Sequence, residues 1–126
     1  MDENQISRVI VQAAIEVHRT LGGPGLLESV YEEALAWELS QRALTVVRQK
    51  PVPITYKGQT LTTPLRLDLL VGDKVIVECK ATTKYSPIFE SQTLTYLRLT
   101  GCKLGLVINF GERLVKDGIH RVVNGL

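Results

Sequence analysis

Residues 66–80 read Arg66-Leu67-Asp68-Leu69-Leu70-Val71-Gly72-Asp73-Lys74-Val75-Ile76-Val77-Glu78-Cys79-Lys80. Two aliphatic, β-branched runs flank a Gly-Asp turn signal, which is the pattern of a β-hairpin. Strand side chains alternate between faces. In the second run Val75, Val77 and Cys79 share one face, and Ile76, Glu78 and Lys80 share the other. In the first run Leu67, Leu69 and Val71 lie opposite Arg66, Asp68 and Leu70. Directly opposed residues of an antiparallel pair share a face. A two-residue loop at Gly72-Asp73 would pair Asp68 with Val77 and put Asp68 and Glu78 on opposite faces. A three-residue loop, Gly72-Asp73-Lys74, or a bulge restores the parity for the apolar faces and for the carboxylates alike. One of these two irregularities is predicted, and with it the convergence of Asp68, Glu78 and Lys80 on one side of the sheet.

Two carboxylates and a lysine on an otherwise apolar sheet are costly unless they have a use. A divalent cation relieves the repulsion between neighbouring carboxylates, and hard cations such as Mg2+ take oxygen ligands while keeping waters for chemistry. A nearby ammonium can orient a water and stabilise developing negative charge. The competing explanation is a solvent-facing salt bridge between strand residues.

The remaining composition narrows the class. A chain of 126 residues makes one domain with a real core, and its hydrophobic fraction of 44% is ordinary. A net charge of +2 gives no strong polycationic surface, while leaving room for a local basic cleft. No apolar run reaches transmembrane length, so no membrane partner is expected. The start, Met-Asp-Glu-Asn-Gln, is unlike a signal peptide, so a cytoplasmic chain with Cys79 and Cys102 as free thiols is expected. Two cysteines and the distant His18 and His120 make no zinc pattern.

In order along the chain, Ile6, Val9, Ile10, Ala13, Ala14 and Val17 predict a helix over about 4–20, capped by Asp2 or Asn4. His18 near its end reads as structural. Leu21 to Gly25 breaks the helix. A second helix is predicted over about 26–42, with Leu27, Val30, Tyr31, Ala34, Leu35 and Leu39 as its buried stripe. Glu28 in its first turn suits the helix dipole on its own account, and Tyr31 falls on nearly the same face. Residues 44–56 read as a strand at a sheet edge, given Pro51 and Pro53. Strands over 60–71 and 75–80 follow, then a helix over 88–100 ending at Gly101. Gln92 and Tyr96 share one face of that helix, as a surface pair or as part of a site. A buried strand is predicted over 104–110 and a short hairpin over 114–123. The order α-α-β-β-β-α-β plus a C-terminal hairpin gives a single domain, 1–126, of the α/β (α+β) class, with a mixed central sheet flanked by helices.

Gly25-Leu26-Leu27-Glu28-Ser29-Val30-Tyr31 resembles the signature of the GxxExxY proteins, a branch of the PD-(D/E)XK nuclease superfamily. The resemblance extends through Val17-His18-Arg19, Tyr56-Lys57-Gly58, Asp68, Glu78-Cys79-Lys80, Gln92 to Leu97 and Gly105 to Phe110. It implies a restriction-endonuclease-like core and a metal-dependent nuclease that hydrolyses DNA. Asp68, Glu78 and the main-chain carbonyl of Cys79 would hold Mg2+ or Mn2+, with Glu28 supporting them and Lys80 positioning the attacking water. Gln92 and Tyr96 match a Gln-x-x-x-Tyr helix motif of the RecB-like branch, and with Tyr31 they are the expected substrate-binding residues. Gly22-Gly23-Pro24 is one glycine longer than the usual Gly-Pro turn, and Ile88-Phe89 stands where a histidine often occurs. The alternative is a non-catalytic module that keeps the fold to bind nucleic acid or protein. A subunit that cuts only alongside an unknown protein partner is a third reading. Duplex cleavage needs two sites, so a homodimer is expected, through the hairpin arm around Lys57-Gly58 or the exposed side of the first helix.

Overall fold

The computed structural model describes residues 1–126. Helix α1 spans Glu3–Thr20 and starts with a full capping box: the Asp2 carboxylate accepts the Gln5 N–H, and the Gln5 side chain accepts the Asp2 N–H. Helix α2 spans Glu28–Gln41. The strands are β1 (Val46–Val52), β2 (Thr55–Tyr56), β3 (Gln59–Thr60), β4 (Leu65–Val71) and β5 (Val75–Lys80). Helix α3 (Ile88–Thr100) ends at Gly101, whose φ of 76° gives the left-handed cap that glycine takes without strain. Strand β6 (Leu104–Asn109), a 3₁₀ turn (Val115–Gly118) and β7 (Ile119–Val123) complete the chain.

Five strands form one mixed sheet in the order β1-β4-β5-β6-β7. Only β5 and β6 run parallel, joined through α3. These two central strands are buried on both faces, hence their unbroken apolar runs. β1 is an edge strand, where Pro51 withholds a donor that the sheet does not need. β2 and β3 form a separate small hairpin at Lys57-Gly58. The C-terminal hairpin expected over 114–123 does not form. Its first arm is the 3₁₀ turn, and its second pairs antiparallel with β6 as the other sheet edge.

Helices α1 and α2 cover one face, with Ile10, Ala14, Tyr31 and Leu35 packed on Val75, Val77, Cys79 and Leu106. Helix α3 covers the other, with Leu97 against Ile76, Val107 and Leu67. The stripe predicted for α2 is half right. Tyr31, Leu35 and Leu39 are buried, but Leu27 is 73% exposed and Val30 faces outward.

The β4–β5 register pairs Val71 with Val75 and Leu69 with Val77. The loop is therefore the three-residue one, Gly72-Asp73-Lys74, with positive φ at Gly72 and Asp73. Further on, one expectation fails. Leu69 and Val71 pack under α1 and α2, whereas Leu67 and Leu65 pack with the α3 core. Strand β4 turns over at Asp68, where its regular ladder with β5 has just ended and where its ladder with β1 skips the Gln49–Asp68 position.

Candidate active site

The turnover at Asp68 opens a gap in the sheet, and two side chains fill it. The Asp68 N–H donates to Glu78 Oε2 at 2.9 Å, and the Cys79 N–H donates to Asp68 Oδ2 at 2.9 Å. Each carboxylate takes over a strand amide that the neighbouring backbone no longer satisfies. Asp68 and Glu78 are thereby held across from one another, with one oxygen of each left for other partners. Glu78 is 6% exposed. Burial, and next the charge of Asp68, push its carboxyl up to about 8. Burial also raises Asp68, against the lowering effect of the Cys79 N–H.

Glu28 projects from the first turn of α2 into a cleft shared with Glu32, Arg48, Gln49 and Asp68. Its carboxyl is raised by burial; Lys80 pulls it down, while Asp68 and Glu32 push it up. Glu28 and Asp68 thus border the same cleft. Lys80, half-buried at the end of β5, places its ammonium 4.6 Å from the centre of the Phe89 ring. Phe89 thus offers the cation a ring face. The lysine still acts on Glu28, Asp68 and Glu78, lowering all three.

The expected gathering of Glu28, Asp68 and Glu78 within one cation's reach is not met as the side chains stand. No group of three or more His, Cys, Asp and Glu side chains is placed to hold an ion. Asp68 and Glu78 each commit one oxygen to a backbone amide, and Glu28 comes from a separate element, helix α2, with its residue surface largely open and its carboxyl only partly desolvated in the cleft.

Tyr31 does not line the cleft. It is fully buried, stacked on Phe110 with ring centres 4.7 Å apart. Its hydroxyl donates to the Gly23 carbonyl at 2.7 Å and accepts the Leu26 N–H at 3.1 Å. It pins the glycine-rich turn that delivers Glu28. His18 is structural too, with Nε2 3.1 Å from the Phe110 carbonyl oxygen. Of the α3 pair, Tyr96 is half-buried against the α3-side core, and its phenol is raised by burial and then by the charges of Glu78 and Asp68. Gln92 is exposed one turn earlier.

With this geometry in view, the sequence profile of the PD-(D/E)XK nuclease superfamily matches residues 4–122. The chain belongs to the PD-(D/E)XK nuclease superfamily. Nuclease-like function on a nucleic acid follows from that membership. No curated protein and no solved structure matches the chain.

Two site residues escaped the sequence reading. Glu32 is 4% exposed and accepts Arg48 at 3.1 Å and Gln49 at 2.8 Å. Its one sequence signal is the four-residue spacing from Glu28, which puts both on one helix face. Asn109, fully buried, accepts the Thr82 N–H and donates to the Thr82 carbonyl, both at 3.0 Å. It clamps the loop leaving Lys80. Gly111 is required beside it, since a Cβ there would lie 2.3 Å from the Thr82 carbonyl oxygen.

Proposed function

We propose that the chain hydrolyses phosphodiester bonds of DNA with Mg2+ or Mn2+ as cofactor. The observation that carries this reading is the Asp68–Glu78 bridge: two carboxyl groups held across a sheet gap, which with Glu28 are all raised by desolvation, so that ionising them together is unfavourable without a cation. Oxygen donors under mutual repulsion suit a hard divalent cation. Asp68, Glu78 and the main-chain carbonyl of Cys79 would hold it, with Glu28 in support. Bound there, it would supply Lewis acidity and charge neutralisation. The protein's own part rests on Lys80. Its ammonium donates to the attacking water, holds it in line and stabilises the negative charge that builds on the phosphate oxygens. Tyr96 offers a hydroxyl to the same cleft for a phosphate or sugar oxygen. Within the superfamily we favour the GxxExxY branch, since Tyr31 holds the turn through which Gly25 leads to Glu28.

The test is cleavage of single-stranded, duplex, flapped and nicked DNA by wild type and Lys80→Ala, with Mn2+ or EDTA. Wild type is expected to cut at least one form with metal only, and Lys80→Ala to fall on the order of a hundredfold or more, as when a group is lost that acts only in the transition state. A wild type that binds DNA without cutting any form would establish the non-catalytic module instead.

We also propose that two copies assemble through the groove between α1 and α2. Val30, Ala34 and Trp37 follow at helical spacing on the outer side of α2 and line it, and Trp37 is 64% exposed. The rim acids Glu16, Glu38 and Glu33 are each paired with an arginine of the same chain, Arg19, Arg42 and Arg48. Two such rims can therefore meet without like-charge repulsion, and the apolar floor is covered by its own copy. Light scattering is expected to give twice the 14.0 kDa chain mass, and Trp37→Glu to return it to one chain. A dimer untouched by Trp37→Glu would move the contact to the β2–β3 arm.

A further inference from the structure

Four residues other than glycine have positive φ: Ala43, Gln49, Lys57 and Asp73. Ala43 follows the α2 C-cap, and Lys57 and Asp73 turn hairpins. Gln49 alone lies inside a strand. The ladder of β1 with β4 is regular on either side of it, at Arg48–Leu69 and Lys50–Leu67, and is missing where Gln49 faces Asp68. A glutamine at φ 50° in mid-strand costs roughly 1–3 kcal/mol and persists only when something holds it.

Three contacts hold it. The Gln49 side-chain Nε2 donates to Glu32 at 2.8 and 3.0 Å and reaches Asp68 Oδ1 at 3.5 Å. The Gln49 main-chain carbonyl accepts from Arg66 at 3.2 Å. Between two carboxylates, only the amide's N–H2 end can face inward. An unkinked β1 would send this side chain along the ordinary strand alternation, and the kink brings it to the carboxylates instead. Core packing does not need it, because Gln49 is exposed. Glu32 is independently neutralised by Arg48.

We propose that Gln49 is a positioning residue of the site, its kinked backbone presenting an amide that ties the Asp68 carboxylate to the buried Glu32 and fixes the orientation in which Asp68 accepts the Cys79 N–H. The proposal rests on the nuclease reading for its consequence in turnover, but its structural content stands apart from it.

The decisive measurement is hydrogen exchange of the Cys79 amide in the metal-free protein, for wild type, Gln49→Gly and Gln49→Asn. Glycine relieves the backbone strain and removes the amide; asparagine tolerates the backbone but is one carbon too short. In both variants the Cys79 amide is expected to exchange about tenfold faster while the amides of Val75 and Val77 keep their wild-type rates, as expected of a local opening. The melting temperature of Gln49→Gly should not fall. An unchanged Cys79 rate in both variants overturns the proposal. A lower melting temperature with faster exchange throughout β4 and β5 also overturns it, since Gln49 would then be holding the fold and not the site. Where wild type cuts DNA, both variants should lose about tenfold in kcat with KM unmoved, the usual scale for a residue that orients a ligand. A wild type that fails to cut refutes the nuclease reading and leaves the exchange result standing.

Discussion

Glu78→Gln should make the metal-free protein more stable at pH 8 while abolishing cleavage. In the native protein the Glu78 carboxyl is pushed up to about 8 from an ordinary 4.5. Between those two values the unfolded chain has released this proton and the native protein has kept it. The native state therefore binds more protons, and stability falls as pH rises through that window. Each pKa unit is worth about 1.4 kcal/mol, so the loss is on the order of a few kcal/mol by pH 8. Glutamine cannot ionise, yet its carbonyl can still accept the Asp68 N–H that Glu78 accepts at 2.9 Å. Urea unfolding in EDTA at pH 5 and pH 8 measures the effect. Wild type should lose stability between the two values. Glu78→Gln should keep only the shallower slope left by Asp68 and Glu28, both also raised. Parallel pH profiles for the two proteins would show that Glu78 titrates like an exposed carboxylate and would remove the electrostatic basis of the site.

How far the sequence reaches follows from the range of each interaction. Alternation with period two is local, so a parity-restoring irregularity, a three-residue loop or a bulge, could be deduced from where Asp68, Glu78 and the apolar residues must point, and the register shows it to be the three-residue loop. Helix ends are local too: the Asp2–Gln5 capping box and the Gly101 cap lie where the residue types require them. Strand β7 is a different case. Its partner β6 lies across a loop and a 3₁₀ turn, and that longer-range pairing overrides the local hairpin expected over 114–123. The same distinction divides the site. Asp68, Glu78 and Lys80 stood out because charge in an apolar strand is anomalous within a few residues. Glu32 did not, because an acid on a helix is ordinary until Arg48, sixteen residues away, buries it. Gln49 carried no signal at all, since its kink exists only in relation to Asp68. Tyr31 misled through spacing: it sits one turn from Glu28, but its ring turns inward onto Phe110.

The pH effect has a counterpart in metal linkage. A site whose carboxyls are raised by burial and mutual repulsion is destabilised without a cation and should be stabilised with one. A ligand that binds only the native state adds RT ln(1 + [L]/Kd), about 2.7 kcal/mol at a hundred times Kd. For a domain of this size that is a rise of several degrees in melting temperature. Mn2+ at millimolar concentration is expected to produce it in wild type at pH 8, and Asp68→Asn to abolish it. Asparagine is the better variant than alanine, since its carbonyl can still accept the Cys79 N–H that Asp68 accepts at 2.9 Å. Alanine would orphan that amide and cost about 1–3 kcal/mol for reasons unrelated to metal. Lys80→Ala separates binding from chemistry. It removes none of the proposed metal ligands and takes away a cation that would repel the metal ion, so it should keep the Mn2+-induced rise while losing turnover. A wild type whose melting temperature ignores millimolar Mn2+ would leave the Asp68–Glu78 bridge as a structural device that closes a gap in the sheet, and would turn the search for function towards binding.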